Sequence, residues 1–170
     1  MRLWRALGAV LVLAGCQRTP PQKVETAFDP AAAAYVNRQG PARIDGHAFI
    51  TRADARVMNA SGQYVYLVPA TPYARERFAR LYGGKKFLAA SSGAAIEQDA
   101  DYARFTRRTK AGSSGRFSFE NVAAGEYFIA TNVQWKDSEE SFVTRGGAVY
   151  ESVTVRGVAG ESIDVVVNGL

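Results

Sequence analysis

The chain has 170 residues, of which 47% are hydrophobic and 22% charged, the composition of an ordinary globular protein with room for one proper core, which excludes disorder as the general state. Its formal net charge of +5 falls to a mild +3, 19 basic against 16 acidic residues, without Arg2 and Arg5 of the export signal read below, and scattered basic residues together with export argue against a nucleic-acid partner. A single Cys and a single His exclude a disulfide framework and supply too few ligands for a His- or Cys-based metal centre.

Residues 1–15 read as an export signal. Arg2 and Arg5 form a positive start, and Leu7 to Leu13 an apolar run too short for the roughly 20 residues that cross a bilayer. Leu13-Ala14-Gly15-Cys16 resembles a bacterial lipobox. That resemblance implies cleavage before Cys16 and acylation of its thiol, with two or three chains holding the protein stably on a membrane. Gln17 stands where lipoproteins kept at the inner membrane usually carry Asp, so the resemblance implies a periplasmic, lipid-anchored protein, with the outer membrane favoured over the inner. No thiol would then remain free in an oxidising compartment.

Gln17 to Ala27 is polar and carries Pro20-Pro21, which predicts a disordered tether. Asp29-Pro30 before Ala31 to Ala34 predicts a short helix reaching about Arg38, with Asp as cap and Pro at the first position. Residues 16–42 are therefore read as tether with a short helix, and residues 43–170 as the domain. The first strand is expected over Ile44 to Thr51, in which His47 reads as a packing residue, and Asp54 to Gly62 as a turn-rich connection. In the next strand, Gln63 to Pro69, Val65 and Leu67 share one face while Tyr64, Tyr66 and Val68 share the other.

Thr71-Pro72 opens a second helix, with Ala74, Phe78 and Leu81 on one stripe. It is expected to cover a sheet edge or an end of the domain. Arg75, Arg77, Arg80, Lys85 and Lys86, the densest basic group, read as its solvated face. Ser91-Ser92-Gly93 is a break. Thr109 to Ala130 predicts a hairpin: Arg116 to Glu120 alternates polar with apolar so that Phe117 and Phe119 point inward, and Ala123-Ala124-Gly125 connects to a strand ending near Trp135. Lys136 to Glu140 reads as a solvated turn. Gly146-Gly147 is expected to separate Phe142-Val143 from a strand over Val149 to Val155, and Ser162 to Asn168 is the last strand.

About seven strands with short connections predict an all-β sandwich. The run Gly115, Phe117, Phe119, Val122, Gly125 and Tyr127 resembles the signature of carboxypeptidase regulatory-like domains. That resemblance implies a transthyretin-like (prealbumin-like) Greek-key sandwich over about Arg43 to Val167, from which the stretch Thr71 to about Ala100 departs as an insert. Two enzyme families on related folds need more histidines than this chain has. Hydroxyisourate hydrolases also end in Tyr-Arg-Gly-Ser, whereas this chain ends Val-Val-Asn-Gly-Leu. Neither a Gly-x-Ser-x-Gly elbow nor a calcium-loop spacing occurs. The expectation is a module that is not an enzyme and holds no cofactor or metal, with Tyr66, Tyr73, Phe78, Tyr82 and Trp135 as its candidate binding surface. A protein partner in the envelope would favour Tyr73, Phe78 and Tyr82; a glycan would favour Trp135. The lipobox has a direct test. Replacing Cys16 by Ser is expected to move the protein from the membrane fraction of cells to the soluble one, and continued membrane retention would exclude a lipid anchor at this residue.

Overall fold

A computed structural model describes residues 21–93 and 95–170; Cys16, the lipobox and the signal lie outside the described residues. In chain order the elements are α1 (Pro30–Ala33), β1 (Gln39–Thr51), β2 (Val57–Asn59), β3 (Tyr64–Pro69), α2 (Pro72–Tyr82), β4 (Phe87–Ala89), β5 (Arg107–Lys110), β6 (Arg116–Val122), β7 (Gly125–Trp135), β8 (Arg145–Val155) and β9 (Ser162–Val167). Two sheets face each other. The first has the order β2-β1-β6, with β9 parallel to β1, and the second the order β4-β8-β7-β3-β5. This is the all-β sandwich expected from the alternation. The strands beyond the expected number are β2 and β4, each of three residues and too short to leave a period of two in the sequence.

The core lies between the sheets. Ile44 of β1, Val65 and Leu67 of β3, Phe117 and Phe119 of β6, Tyr127 and Ile129 of β7, Val155 of β8 and Val165 and Val167 of β9 are all buried in it, with Val153 packed against them. The alternation in β6 therefore points as predicted, but its partner differs. β6 pairs with β1, whereas β7 pairs with β3 and β8, so the predicted hairpin is instead a crossing from one sheet to the other. Asn121, at φ 55°, and the Tyr127 hydroxyl, which donates to the Ala123 carbonyl at 2.9 Å, shape this corner. Two further expectations are corrected. β1 begins at Gln39, not Ile44, and β8 runs through Gly146-Gly147 without a break.

α2 starts and ends as its sequence dictates. Thr71 caps it by accepting from Ala74 N–H at 3.3 Å, Pro72 occupies the first turn, and Gly83 closes it at φ 59°, where a side chain would be strained. It covers neither an edge nor an end. It lies on the outer face of the five-stranded sheet, where Phe78 stacks on Phe128 at 4.4 Å and meets Tyr150 edge-on at 4.9 Å. No helix among the described residues is long and apolar enough to cross a membrane.

The stretch read as a disordered tether is fixed to this second layer from residue 22 onward. Gln22 bridges Ile96 in parallel, Val24 is buried, and Phe28 sits 5.3 Å from Tyr73 and 5.9 Å from Tyr102. The Glu76 carboxylate of α2 accepts Glu25 N–H at 2.9 Å and Thr26 N–H at 2.8 Å. Farther on, Val36 enters the main core, and Tyr35 donates to the Glu126 carbonyl and accepts from Ala70 N–H. Two apolar side chains and one charged acceptor thus outweigh the polar, proline-bearing composition that predicted disorder.

The Thr26 hydroxyl and the two backbone donors hold the Glu76 carboxyl at about 2, below its ordinary 4.5. A lowered pKa gives stability that is complete above 4.5 and is lost as pH falls through about 2. The amide resonances of Glu25 and Thr26 are therefore expected to titrate with a midpoint near 2 and to lose that step in Glu76→Ala; a midpoint at 4.5 would mean that the strap is not held by this carboxylate.

Candidate functional site

A groove of about 640 Å³ opens between α2 and the outer face of the five-stranded sheet. Its floor crosses four strands: Arg108 of β5 is the register partner of Tyr66 in β3 and Tyr66 of Ala130 in β7, and Asn132 of β7 with its partner Ala148 in β8 extends it. The hollow exists because the floor carries small side chains. Ala130 and Ala148 line it where the neighbouring outward positions hold Phe128 and Tyr150, so the helix rests on the aromatics and leaves space beside them.

One wall is α2, with Arg77, Leu81 and Tyr82; the other is the segment 98–106, with Gln98, Tyr102 and Thr106. The second wall is held in place by Asp99 N–H, which donates to the Tyr73 hydroxyl at 2.9 Å, and by the Phe28, Tyr73 and Tyr102 ring cluster. The Thr106 hydroxyl donates to the Tyr102 carbonyl at 3.1 Å and steadies the turn that carries Tyr102.

Among the described residues, three buried side-chain atoms have no hydrogen-bond partner within the protein: Arg77 Nε, Tyr102 Oη and Trp135 Nε1. Two of the three belong to this groove. Buried polar groups are nearly always satisfied, and leaving one unsatisfied costs about 1–3 kcal/mol. Arg77 lies over the Tyr102 ring, 5.3 Å from its centroid. Burial pushes the Tyr102 hydroxyl up to about 12, the Arg77 guanidinium beside it offsetting part of that rise, so near neutrality the hydroxyl stays protonated.

The sequence-predicted surface residues divide. Tyr66 and Tyr82 line the groove, Tyr66 half-buried and Tyr82 exposed by only 6%. Phe78 is 4% exposed and serves mainly to seat the helix, and Tyr73, 5% exposed, sits behind the wall. The aromatic face offered to a protein partner is thus turned into the molecule. Trp135 falls elsewhere, in a second hollow of about 570 Å³ with Phe87, Ile50 and the last residues of the chain, half-buried beneath the Arg52 guanidinium. Of the basic group read as a solvated helix face, Arg75 and Arg80 pair with Glu126 and Glu76, but Arg77 is drawn into the groove. His47 Nε2 lies 3.0 Å from Asn59 Oδ1, as befits a half-buried packing residue. No group of three His, Cys, Asp or Glu able to hold a metal occurs among the described residues.

Tyr102→Phe tests whether this hydroxyl is satisfied within the protein. Since an unsatisfied buried hydroxyl costs stability, its removal is expected to leave the unfolding free energy unchanged or to raise it by up to about 3 kcal/mol in urea titrations, whereas a loss of more than about 1 kcal/mol would mean that the protein itself satisfies it.

No protein-family model matches the chain, and no curated protein does. Among solved structures it is similar to a candidate carbohydrate-binding protein of Pseudomonas aeruginosa, at 25% identity and a TM-score of 0.67 over 83% of this chain and 98% of that one. Much weaker likenesses link it to the minor pilin GBS52 of Streptococcus agalactiae (14% identity, TM-score 0.36, 78% of this chain and 46% of that) and to the shaft pilin SpaA of Lactobacillus rhamnosus (10%, 0.31, 75% and 45%).

Proposed function

We propose that the protein is a non-catalytic binding module of the bacterial envelope, anchored by lipid on Cys16 at the periplasmic face of a membrane, and that it takes a saccharide into the groove beneath α2. The observation that carries the reading is the groove itself: the half-buried Tyr66 offers ring surface on its floor, while Gln98 and the guanidinium groups of Arg77 and Arg108 bring hydrogen-bonding groups to its lining. Sugars present the complementary chemistry, an apolar ring face edged with hydroxyl acceptors. The likeness to a candidate carbohydrate-binding protein over nearly its whole length supports this choice. The Gly115 to Tyr127 signature supports membership of the carboxypeptidase regulatory-like domains.

The reading takes a glycan over an envelope protein as ligand. Tyr73, Phe78 and Tyr82 are buried by the protein's own sheet and strap, so the aromatic anchors that a protein partner would need are already spent. It also moves the glycan from Trp135 to the groove.

Ala130→Leu puts a larger side chain on the groove floor without touching the main core. Binding in a screen of envelope glycans and peptidoglycan fragments is expected to fall by at least about tenfold in this variant. Trp135→Ala is expected to leave such binding intact. The opposite pattern, with loss only in Trp135→Ala, would transfer the site to the second hollow.

A further inference from the structure

The charge of the groove is one-sided. Arg77 and Arg108 line it, and no Asp or Glu does. The surrounding arginines are all engaged: Arg75 pairs with Glu126, Arg80 with Glu76 and Arg104 with Asp101, while Arg107 donates to the carbonyls of Glu120 and Asn121. Among the described residues, no ion pair joins Arg77 or Arg108 to a carboxylate. Each is instead held over a ring, Arg77 at 5.3 Å from the Tyr102 centroid and Arg108 at 4.8 Å from that of Tyr64.

Ring contact restrains a guanidinium but leaves its N–H fork free for a planar or tetrahedral anion. Arg77 is the more telling of the two, since it is half-buried and a partly desolvated cation without a carboxylate is costly until an anion joins it. Arg77 comes from the α2 wall, and Arg108 from the β5 end of the floor row, beside Tyr66.

From this we infer that the ligand is an anionic saccharide, a sugar whose ring rests on Tyr66 and whose carboxylate or sulfate faces Arg77 and Arg108. The inference rests on the saccharide reading above and adds the ligand's charge.

Calorimetric titration of the purified protein with four probes tests it: a galacturonate oligomer, its methyl ester of equal length, a sulfated galactan oligomer and an oligoglutamate peptide. At least one acidic sugar is expected to bind about tenfold or more tightly than the ester, with an affinity that falls as salt is added. Preference for the galacturonate identifies the acid as carboxylate, and preference for the galactan identifies it as sulfate. Arg108→Gln, an exposed residue outside any ion pair, is expected to narrow the preference for acid over ester without unfolding the protein. Arg77→Lys, which keeps the charge but loses the fork, is expected to narrow it as well. Equal binding of acid and ester, unaltered in both variants, would overturn the inference and leave the saccharide reading standing. Binding of no sugar at all would overturn both. Oligoglutamate bound as tightly as the uronate would mean that the acid is recognised without its ring, and would overturn the saccharide part.

Discussion

Strand β7 is covered on both faces at its middle, around Phe128 and Ile129, and the register in which it is held decides the core and the groove together. Its inward residues Tyr127, Ile129 and Val133 fill the space between the sheets, while its outward Phe128 seats α2 and its outward Ala130 leaves the hollow beside it. The ladder to β8 runs without a break from Gly125↔Val155 to Trp135↔Arg145, and that to β3 from Val65↔Thr131 to Pro69↔Tyr127. Because side chains alternate with a period of two, a slip of one residue would turn Tyr127 and Ile129 out beneath the helix and bring Ala130 into the core. Both the packing and the cavity would be lost at once. The site is therefore not an addition to the sandwich but a consequence of which residues β7 places on its second face.

Where a strand has one wet face and one dry one, its sequence states its role, and β6 is such a strand: Phe117 and Phe119 are buried, Arg116 and Glu120 exposed. What the sequence does not state is which strand comes next to it. A short Ala-Ala-Gly connection suits a hairpin and equally suits a chain stepping over to the facing sheet, and the choice is made by distant partners, β1 on one side and β3 with β8 on the other. Gly146-Gly147 misleads for a related reason. Glycine pairs read locally as a break, yet a Cβ on Gly147 would lie 2.0 Å from the Leu88 carbonyl oxygen, so glycine is required there by the close approach of β4, a strand of three residues that leaves no pattern of its own.

The groove was legible in part. Tyr66 and Tyr82 stand out as aromatics on a strand face and a helix. Arg77 does not, because one arginine within a basic helix reads like the others, and only the position of the 98–106 segment separates it from Arg75 and Arg80. Ala130 and Ala148 are harder still to see, since a cavity floor is marked by missing atoms. The available signal was relative: alanines in outward positions of strands whose other outward positions hold Phe128 and Tyr150 leave a helix with nothing to rest on there. The stretch from Thr71 to Ala100 supplies much of the groove, since α2 forms one wall and its continuation, pinned by the Tyr73 hydroxyl, leads into the other.

The second hollow shows why arginine over an aromatic ring is not by itself the mark of a binding site. Arg52 lies 5.5 Å from the Trp135 centroid, much as Arg77 lies over Tyr102. Around Arg52, however, Asp54 stands at 3.4 Å and Asp137 at 3.6 Å. These two carboxylates, which Arg56 and Arg145 also engage, stand directly beside this guanidinium, and an incoming anion would meet their repulsion. Trp135 Nε1 is a lone neutral donor there, worth about one ordinary hydrogen bond. In the groove beneath α2 the same pairing of cation and ring occurs with no acid in the lining, so no carboxylate there neutralises Arg77. What distinguishes the two hollows is thus neither size nor aromatic content but whether the charge has already been used, and only in one of them has it not.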